Sequence, residues 1–352
     1  MMDDVLHVLQ SYSRFVITTH VRPDGDAIGS QLALGLFLKS RGKDARMINA
    51  HVPPANLEWI DGIDDVEKYN TSIDQQEFLT TAEVIVVVDT NTVDRLGRRL
   101  GPVVRKSSAL KVLIDHHTDP DSWFDCAWVS EGAAATGEMM FELLADWDAD
   151  AITPDIATAL YVAIVTDTGS FRYSTVTPLV HRITADLLER GSRPPADVYS
   201  AIYETRSPQW VRLLSRVLGT LTLFYDGVLG YLVLRRGMLA ETGCTYQDAD
   251  GLVDYALAIE GVEVGLLFTE TARGTKVSFR SKGEHAVNRW ARSFGGGGHV
   301  NASGAFLRRP TDVVISQVLA AAPRFIGVRH AENGAVLTQD DEAYLATLLD
   351  VG

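Results

Sequence analysis

The apolar run Val16-Ile17-Thr18-Thr19 ends in His20, and Asp24 and Asp26 follow in the turn that leads to a helical pattern of Ile28, Leu32 and Leu36. One imidazole and two carboxylates in a single strand-to-helix turn can hold a divalent cation. Either aspartate alone reads as a helix cap or turn former. With a histidine at the strand end, metal binding is the better account. The arrangement returns along the chain: Val84–Val88 ends in Asp89, Lys111–Ile114 ends in Asp115-His116-His117, and the helical run Thr153–Val165 leads into Asp167.

Gathered in one pocket, the five carboxylates Asp24, Asp26, Asp89, Asp115 and Asp167 would repel one another at neutral pH unless protons or cations neutralise them. Carboxylates mixed with imidazoles suit Mn²⁺, Fe²⁺, Co²⁺ or Zn²⁺ better than Mg²⁺ or Ca²⁺. No cysteine accompanies them, which argues against a structural zinc, and no oxygen ligands continue at alternate positions as a calcium loop requires. So many ligands suit two ions better than one. Two ions roughly 3.5–4 Å apart clamp a phosphoryl group and acidify a bridging water.

The elements that must position these residues follow a βα alternation. Strands are expected at Arg14–Thr19, Ala45–Asn49, Val84–Val88 and Lys111–Ile114, and helices at Ala27–Arg41, Ala133–Leu144, Thr153–Val165 and Pro178–Arg190. Such alternation implies an α/β fold with a mainly parallel sheet flanked by helices. The C-terminal ends of parallel strands share one edge, so residues spread over half the chain can converge there. After Gly191-Ser192-Arg193-Pro194-Pro195 the pattern changes. Helical residues fill about 195–223. Short strands (Val228–Leu234, Val262–Thr269, Lys276–Arg280, Ala305–Leu307) then mix with helices at Asp248–Ile259, Ala286–Phe294 and Asp312–Ala322. The expected division is a metal-binding domain over 1–190, a linker with connecting helices over 191–223, a smaller α+β domain over 224–325 with a cleft between the domains, and an extension over 326–352 with a helix begun by Thr338.

Composition narrows the function. With 46% hydrophobic and 22% charged residues, the chain has the balance of a soluble protein. No apolar run approaches the roughly 18 residues of a membrane span. The acidic start Met1-Met2-Asp3-Asp4 lacks the basic opening of a signal peptide, and the isolated Cys126 and Cys244 suit a reducing cytoplasm. A net charge of −14 does not suit a general nucleic-acid coat. The balance is local, though: Thr271–Val300 holds six Lys or Arg and one acid, Glu284, and can meet an anionic ligand. Trp290 and Phe294 have helical spacing and are expected in the core.

The set His20-x-x-x-Asp24-x-Asp26, Asp89, Asp115-His116-His117 and Asp167 resembles the DHH phosphoesterases. Arg280-Ser281-Lys282 and Gly295-Gly296-Gly297-Gly298-His299-x-Asn301-Ala302-Ser303-Gly304 resemble the DHH-associated substrate domain. The two patterns span about residues 14–310. The size and the Gly-Gly-Gly-His ending resemble the branch of oligoribonucleases and phosphatases of 3′-phosphoadenosine 5′-phosphate (pAp). The resemblance implies two divalent metals, Mn²⁺ first, with Mg²⁺, Co²⁺ or Fe²⁺ as alternatives. It places His20 and Asp24 on one metal, Asp26, His116 and Asp167 on the other, and Asp89 on both. Asp115 would orient the histidines or a water, and His117 would face the scissile phosphate as acid or donor. Arg280, Ser281, Gly296, Gly297, Gly298 and His299 would hold the substrate.

The function expected is hydrolysis of phosphoester bonds in short oligoribonucleotides and pAp by a cytoplasmic enzyme. A phosphodiesterase of cyclic or linear dinucleotides is the nearest alternative, and a non-catalytic nucleotide sensor the distant one. Expected partners are short single-stranded RNA or a nucleotide, with no membrane and with a homodimer left open.

Overall fold

The computed structural model describes residues Met1–Ile326. The tail, with Thr338 and the helix expected there, lies outside the described residues. The chain divides into two units between Thr205 and Arg206.

The first unit runs α1 (Met2–Ser11), β1 (Arg14–Thr18), α2 (Gly25–Ser40), β2 (Asp44–Asn49), β3 (Val66–Lys68), α3 (Ile73–Thr81), β4 (Val84–Val88), α4 (Gly101–Lys106), β5 (Leu110–Asp115), β6 (Cys126–Val129), α5 (Thr136–Asp148), α6 (Pro154–Asp167), α7 (Pro178–Glu189) and α8 (Pro195–Tyr203). Its six strands form one sheet in the order β3-β2-β1-β4-β5-β6, parallel at every pairing. Phe15, Val16 and Ile17 of β1, all of β4 and Val112–Ile114 of β5 are fully buried. This explains their uninterrupted apolar composition: a sheet covered on both faces offers no polar side. The order reverses between β1 and β4, and ligands of doubly wound sheets sit beyond the strand ends at such a point. His20 follows β1 and Asp89 follows β4, so the reversal brings them together.

Helix α2 departs from the one-faced pattern of Ile28, Leu32 and Leu36. Almost all of Gly25–Leu38 is buried, because α5 and α6 cover the side that would face water. Small residues permit this closeness. A Cβ on Gly29 would stand 2.3 Å from the Ala159 carbonyl, and one on Gly137 2.4 Å from the Ala163 methyl. The same packing draws the start of α2, the start of α5 and the end of α6 to one place.

The second unit begins with α9 (Pro208–Leu218) and continues β7 (Thr222–Phe224), β8 (Leu229–Leu234), α10 (Arg236–Thr242), α11 (Asp254–Leu257), β9 (Val264–Thr271), β10 (Gly274–Ser281), α12 (Val287–Ser293), β11 (Gly297–Gly298), β12 (Ala302–Leu307) and α13 (Thr311–Ala321). Its mixed sheet has the order β11-β12-β10-β9-β8-β7, antiparallel except where β8 meets β9. Its main core gathers Tyr231, Phe268, Phe279 and the fully buried Trp290, while Phe294 packs against that core.

Three expectations differ in detail. The stretch over 191–223, expected as a linker with connecting helices, divides between the two units. Val198 and Ile202 of α8 join the first unit's core, and Trp210, Leu213 and Val217 of α9 join a cluster in the second. The helix expected over Asp248–Ile259 is a 3₁₀ turn at Tyr246–Ala249 and one turn of α11, separated by Gly251 at φ +83°. The strands expected in the first unit omit β3, which pairs with β2 at Met47↔Val66.

Candidate functional site

Each acidic or imidazole residue predicted for the site in the first unit lies at or near an element end. Asp24 is the N-cap of α2 and accepts from the Ala27 amide at 3.1 Å. Asp26 lies in the first turn of α2, Asp89 just past β4, Asp115 closes β5, and Asp167 closes α6. The structure brings His20, Asp24 and Asp89 into one group with ligand atoms within 4.8 Å of one another, and Asp26, His116 and Asp167 into a second.

Asp89 lies between the two groups. Its Oδ2 stands 3.3 Å from Nε2 of His20, and its Oδ1 stands 3.6 Å from Nε2 of His116. Nε2 of His116 is also 3.4 Å from Asp167 and 3.8 Å from Asp26. The two imidazoles are oriented alike. Nδ1 of His20 meets the Val21 carbonyl at 3.0 Å, and Nδ1 of His116 meets the Ala133 carbonyl at 3.2 Å. A carbonyl at Nδ1 fixes the proton there and turns the Nε2 lone pair toward a metal. Nε2 of His20 is buried and makes no hydrogen bond. A buried nitrogen facing two carboxylate oxygens without hydrogen-bonding either fits a cation between them.

Asp26 is the most thoroughly held of the acids. Its oxygens accept from the amides of Thr136 and Gly137 at 2.7 and 2.8 Å and from the Ser30 hydroxyl at 3.1 Å. Those amides open α5, where backbone N–H groups lack helical partners and favour an anion. The Thr136 hydroxyl donates to Asp89 at 3.2 Å. Asp89 itself adopts φ +55°, a conformation uncommon outside glycine, which aspartate tolerates better than most residues.

Without a cation, several of these groups favour their protonated forms. Burial, and then the charge of Asp26, pushes Asp89 and Asp167 well above the usual carboxylate range. Burial opposes the charged form of His20, but the nearby carboxylates of Asp24 and Asp89 outweigh it and raise its pKa to about 10. A proton here does what a divalent cation would do with more charge. The donor set, oxygen and imidazole without thiolate, fits Mn²⁺-like ions. The site has an accessible side: the Asp24 side chain is 60% exposed and that of Asp167 32%, against 1% for Asp26.

Asp115 was expected to orient the histidines or a water, and the structure places it against His117. Its fully buried carboxylate meets Nδ1 of His117 at 2.8 Å, whereas His116 is oriented by the Ala133 carbonyl. Three neighbours escaped the reading of the sequence. Arg95 places Nη1 3.4 Å from Nε2 of His117, and Thr136 and Gly137 hold the acids. A Thr-Gly pair opening a helix after Ala133-Ala134-Ala135 could have suggested the latter, whereas a single arginine in a loop carries no such signal.

In the second unit, Arg280 and Ser281 close β10, and His299 follows β11. Both strands flank β12, at Arg280↔Ala302 and Gly298↔Ser303, so these residues share one end of that strand. Arg280 Nε lies 3.9 Å from Asp254, and the Ser281 hydroxyl donates to the His285 carbonyl at 2.6 Å and accepts from Asn301 at 2.9 Å. Two of the glycines have a packing reason of their own. A Cβ on Gly296 would stand 2.1 Å from the Gly304 carbonyl, and one on Gly298, at φ +137°, 2.6 Å from the Ala302 carbonyl. A Cβ on Gly297 would meet nothing.

Comparison with known proteins agrees with this picture. The domain described as "DHH family, N-terminal domain" matches residues 14–164, and the DHHA1 domain matches residues 228–326. A Thermus thermophilus protein named bifunctional oligoribonuclease and PAP phosphatase NrnA is 33% identical over 296 residues, 83% of each chain. A Bacillus subtilis protein of the same name is 27% identical over 310 residues, 87% of this chain and 93% of that one. The crystal structure of an exopolyphosphatase-related protein from Bacteroides fragilis superposes with a TM-score of 0.85 at 28% identity, covering 99% of this chain and 97% of the other.

Proposed function

The chain belongs to the DHH family of metal-dependent phosphoesterases, with a DHHA1 domain in its second unit, and we propose that it uses two metals to hydrolyse short oligoribonucleotides and pAp. The observation that carries this reading is Asp89, which turns one oxygen toward His20 and the other toward His116. A carboxylate so placed could reach a cation held by either ligand group.

In this reading His20, Asp24 and Asp89 would hold one ion, and Asp26, His116, Asp167 and Asp89 would hold the other. Bound divalent cations, Mn²⁺ first among them, supply charge to the phosphoryl oxygens and acidify a water. The protein's own groups do the rest. The Thr136 and Gly137 amides lock Asp26, and the Val21 and Ala133 carbonyls hold the two ligand histidines at their Nδ1 atoms. Asp115 fixes the His117 ring so that Nε2 is presented to the phosphate as acid or donor. In the second unit Arg280, Ser281, the Gly296–Gly298 turn and His299 grip a phosphate or nucleotide away from the scissile bond.

The names of the Thermus and Bacillus relatives support both substrates. No helix among the described residues is long and apolar enough to cross a membrane. Cytoplasmic work and a homodimeric assembly belong to the same proposal, and light scattering tests the latter. The deciding experiment is a panel of di- to heptanucleotides, pAp, pyrophosphate, and cyclic and linear dinucleotides, each with Mn²⁺ and with Mg²⁺. Turnover of short RNA and pAp supports the reading. Turnover of cyclic dinucleotides alone replaces it with a cyclic-dinucleotide phosphodiesterase, and binding without turnover replaces it with a nucleotide sensor.

A further inference from the structure

The protein has 46 acidic residues against 32 Lys and Arg, yet Arg95–Lys111 contains six basic residues and no acid. Arg98, Arg105 and Lys106 line, with Asp94 and Pro102, an open pocket of about 930 Å³ in the first unit. All three basic side chains are exposed, and among the described residues neither they nor Arg95 and Arg99 form an ion pair. An uncompensated basic surface on an acidic protein pays repulsion only among its own charges and attracts polyanions.

The pocket is joined to the metal centre through one turn. The 3₁₀ turn Val93–Leu96 carries Arg95, whose Nη1 reaches to 3.4 Å from Nε2 of His117. The Arg95 carbonyl accepts from the amide of Val21, the residue after His20, at 2.6 Å. Gly97, at φ +88°, then lies so close that a Cβ would stand 3.0 Å from Val21 and 2.8 Å from Ala50. Arg98 follows at once into the pocket wall. The turn therefore has one end at the phosphate-facing histidine and the other in the basic pocket.

We propose that Arg95–Lys106 is a second phosphate-binding surface for single-stranded RNA. Arg95 meets the scissile phosphate, and Arg98, Arg105 and Lys106 hold phosphates further along the chain. Length beyond a dinucleotide is thus sensed by the first unit itself. This rests on the reading of the enzyme as an oligoribonuclease. It differs from the grip assigned to Arg280 and His299, which lie in the second unit.

The test replaces the pocket cations together, as Arg98→Ser, Arg105→Ser and Lys106→Ser, in the full chain. kcat/KM is measured with Mn²⁺ on di- to heptanucleotides at several salt concentrations. The expected result is a loss that grows with length, so that the pentanucleotide-to-dinucleotide ratio falls at least tenfold. The salt slope for the pentanucleotide should flatten by about 2, since each lost contact to a single-stranded phosphate removes roughly 0.7. The matching lysine variant, Arg98→Lys with Arg105→Lys, should keep the length dependence. An unchanged ratio overturns the surface. If the wild-type protein cleaves no oligonucleotide, the oligoribonuclease reading fails on its own. The surface is then judged by anisotropy of a fluorescein-labelled pentanucleotide: at least fivefold weaker binding by the serine variant sustains it, and equal binding overturns it.

Discussion

Nη1 of Arg95 stands 3.4 Å from Nε2 of His117, whose Nδ1 is held by the Asp115 carboxylate at 2.8 Å. The carboxylate sets the ring's orientation, and the guanidinium shares the edge that the ring presents. A phosphate arriving there meets a fixed positive charge in a site otherwise rich in carboxylates. Arg95→Ala should lower kcat/KM on every substrate, pAp included, by roughly 10–150-fold, the equivalent of about 1.5–3 kcal/mol for a charged hydrogen bond. Its affinity for Mn²⁺ should not fall, because a nearby positive charge opposes cation binding. Calorimetric Mn²⁺ titration checks this. A collapse of metal affinity together with turnover would make Arg95 a support of the cluster instead.

The second unit should matter only where the substrate extends beyond the scissile phosphate. His299→Ala and Arg280→Ala should lose about 2–4 kcal/mol of transition-state stabilisation on short oligonucleotides and keep appreciable activity on a small chromogenic phosphodiester. Asp26→Ala should lose both. The Arg280–Asp254 pair is about one third exposed at 3.9 Å, so its removal costs the fold little. Equal losses on both substrates in His299→Ala would move that histidine into the chemical step.

Metal affinity should rise with pH. Asp89 and Asp167 bind protons more tightly than ordinary carboxylates, and His20 keeps its proton to about 10. Each cation must expel these protons, so raising the pH removes its competitor. Mn²⁺ titrations at pH 6, 7 and 8 should show roughly tenfold tighter binding per pH unit for each proton displaced per ion. Affinity independent of pH would mean that the carboxylates are already ionised.

A stability prediction concerns the same acids. The folded-state pKa of Asp89 lies above the unfolded value, so its charge opposes folding once the pH exceeds the unfolded value of about 4. Below that pH both states are protonated and the penalty disappears. Asp89→Asn keeps a side chain that tolerates φ +55° and removes the charge. In chelator-treated protein it should therefore melt higher than wild type at pH 7, by about 2–4 °C per kcal/mol relieved, with the difference vanishing near pH 4. A lower melting point at pH 7 would show that the charged Asp89 stabilises the fold.

The strands that carry the ligands were legible because each is buried on both faces and so appears as a continuous β-branched run ending in a polar residue. Val84–Val88 before Asp89 is the clearest case. The short edge strands β3 and β6 were not legible. Three or four residues carry no periodicity, and their pairing is set by β2 and β5. The helix expected over Asp248–Ile259 failed at Gly251, whose positive φ no apolar spacing reveals. In the site, the His and Asp residues stood out by type and place. Arg95 and the two amides of Thr136 and Gly137 did not, since one is a lone loop residue and the others act through the backbone.

The central claim is that Asp89 joins two cations into one centre. It is tested most directly by titrating wild type and Asp89→Asn with Mn²⁺ under electron paramagnetic resonance while following turnover of a dinucleotide. A spin-coupled signal is expected at two Mn²⁺ per wild-type chain, and in Asp89→Asn loss of that coupling with turnover falling at least a thousandfold. A variant that keeps both the coupled signal and full turnover would contradict it.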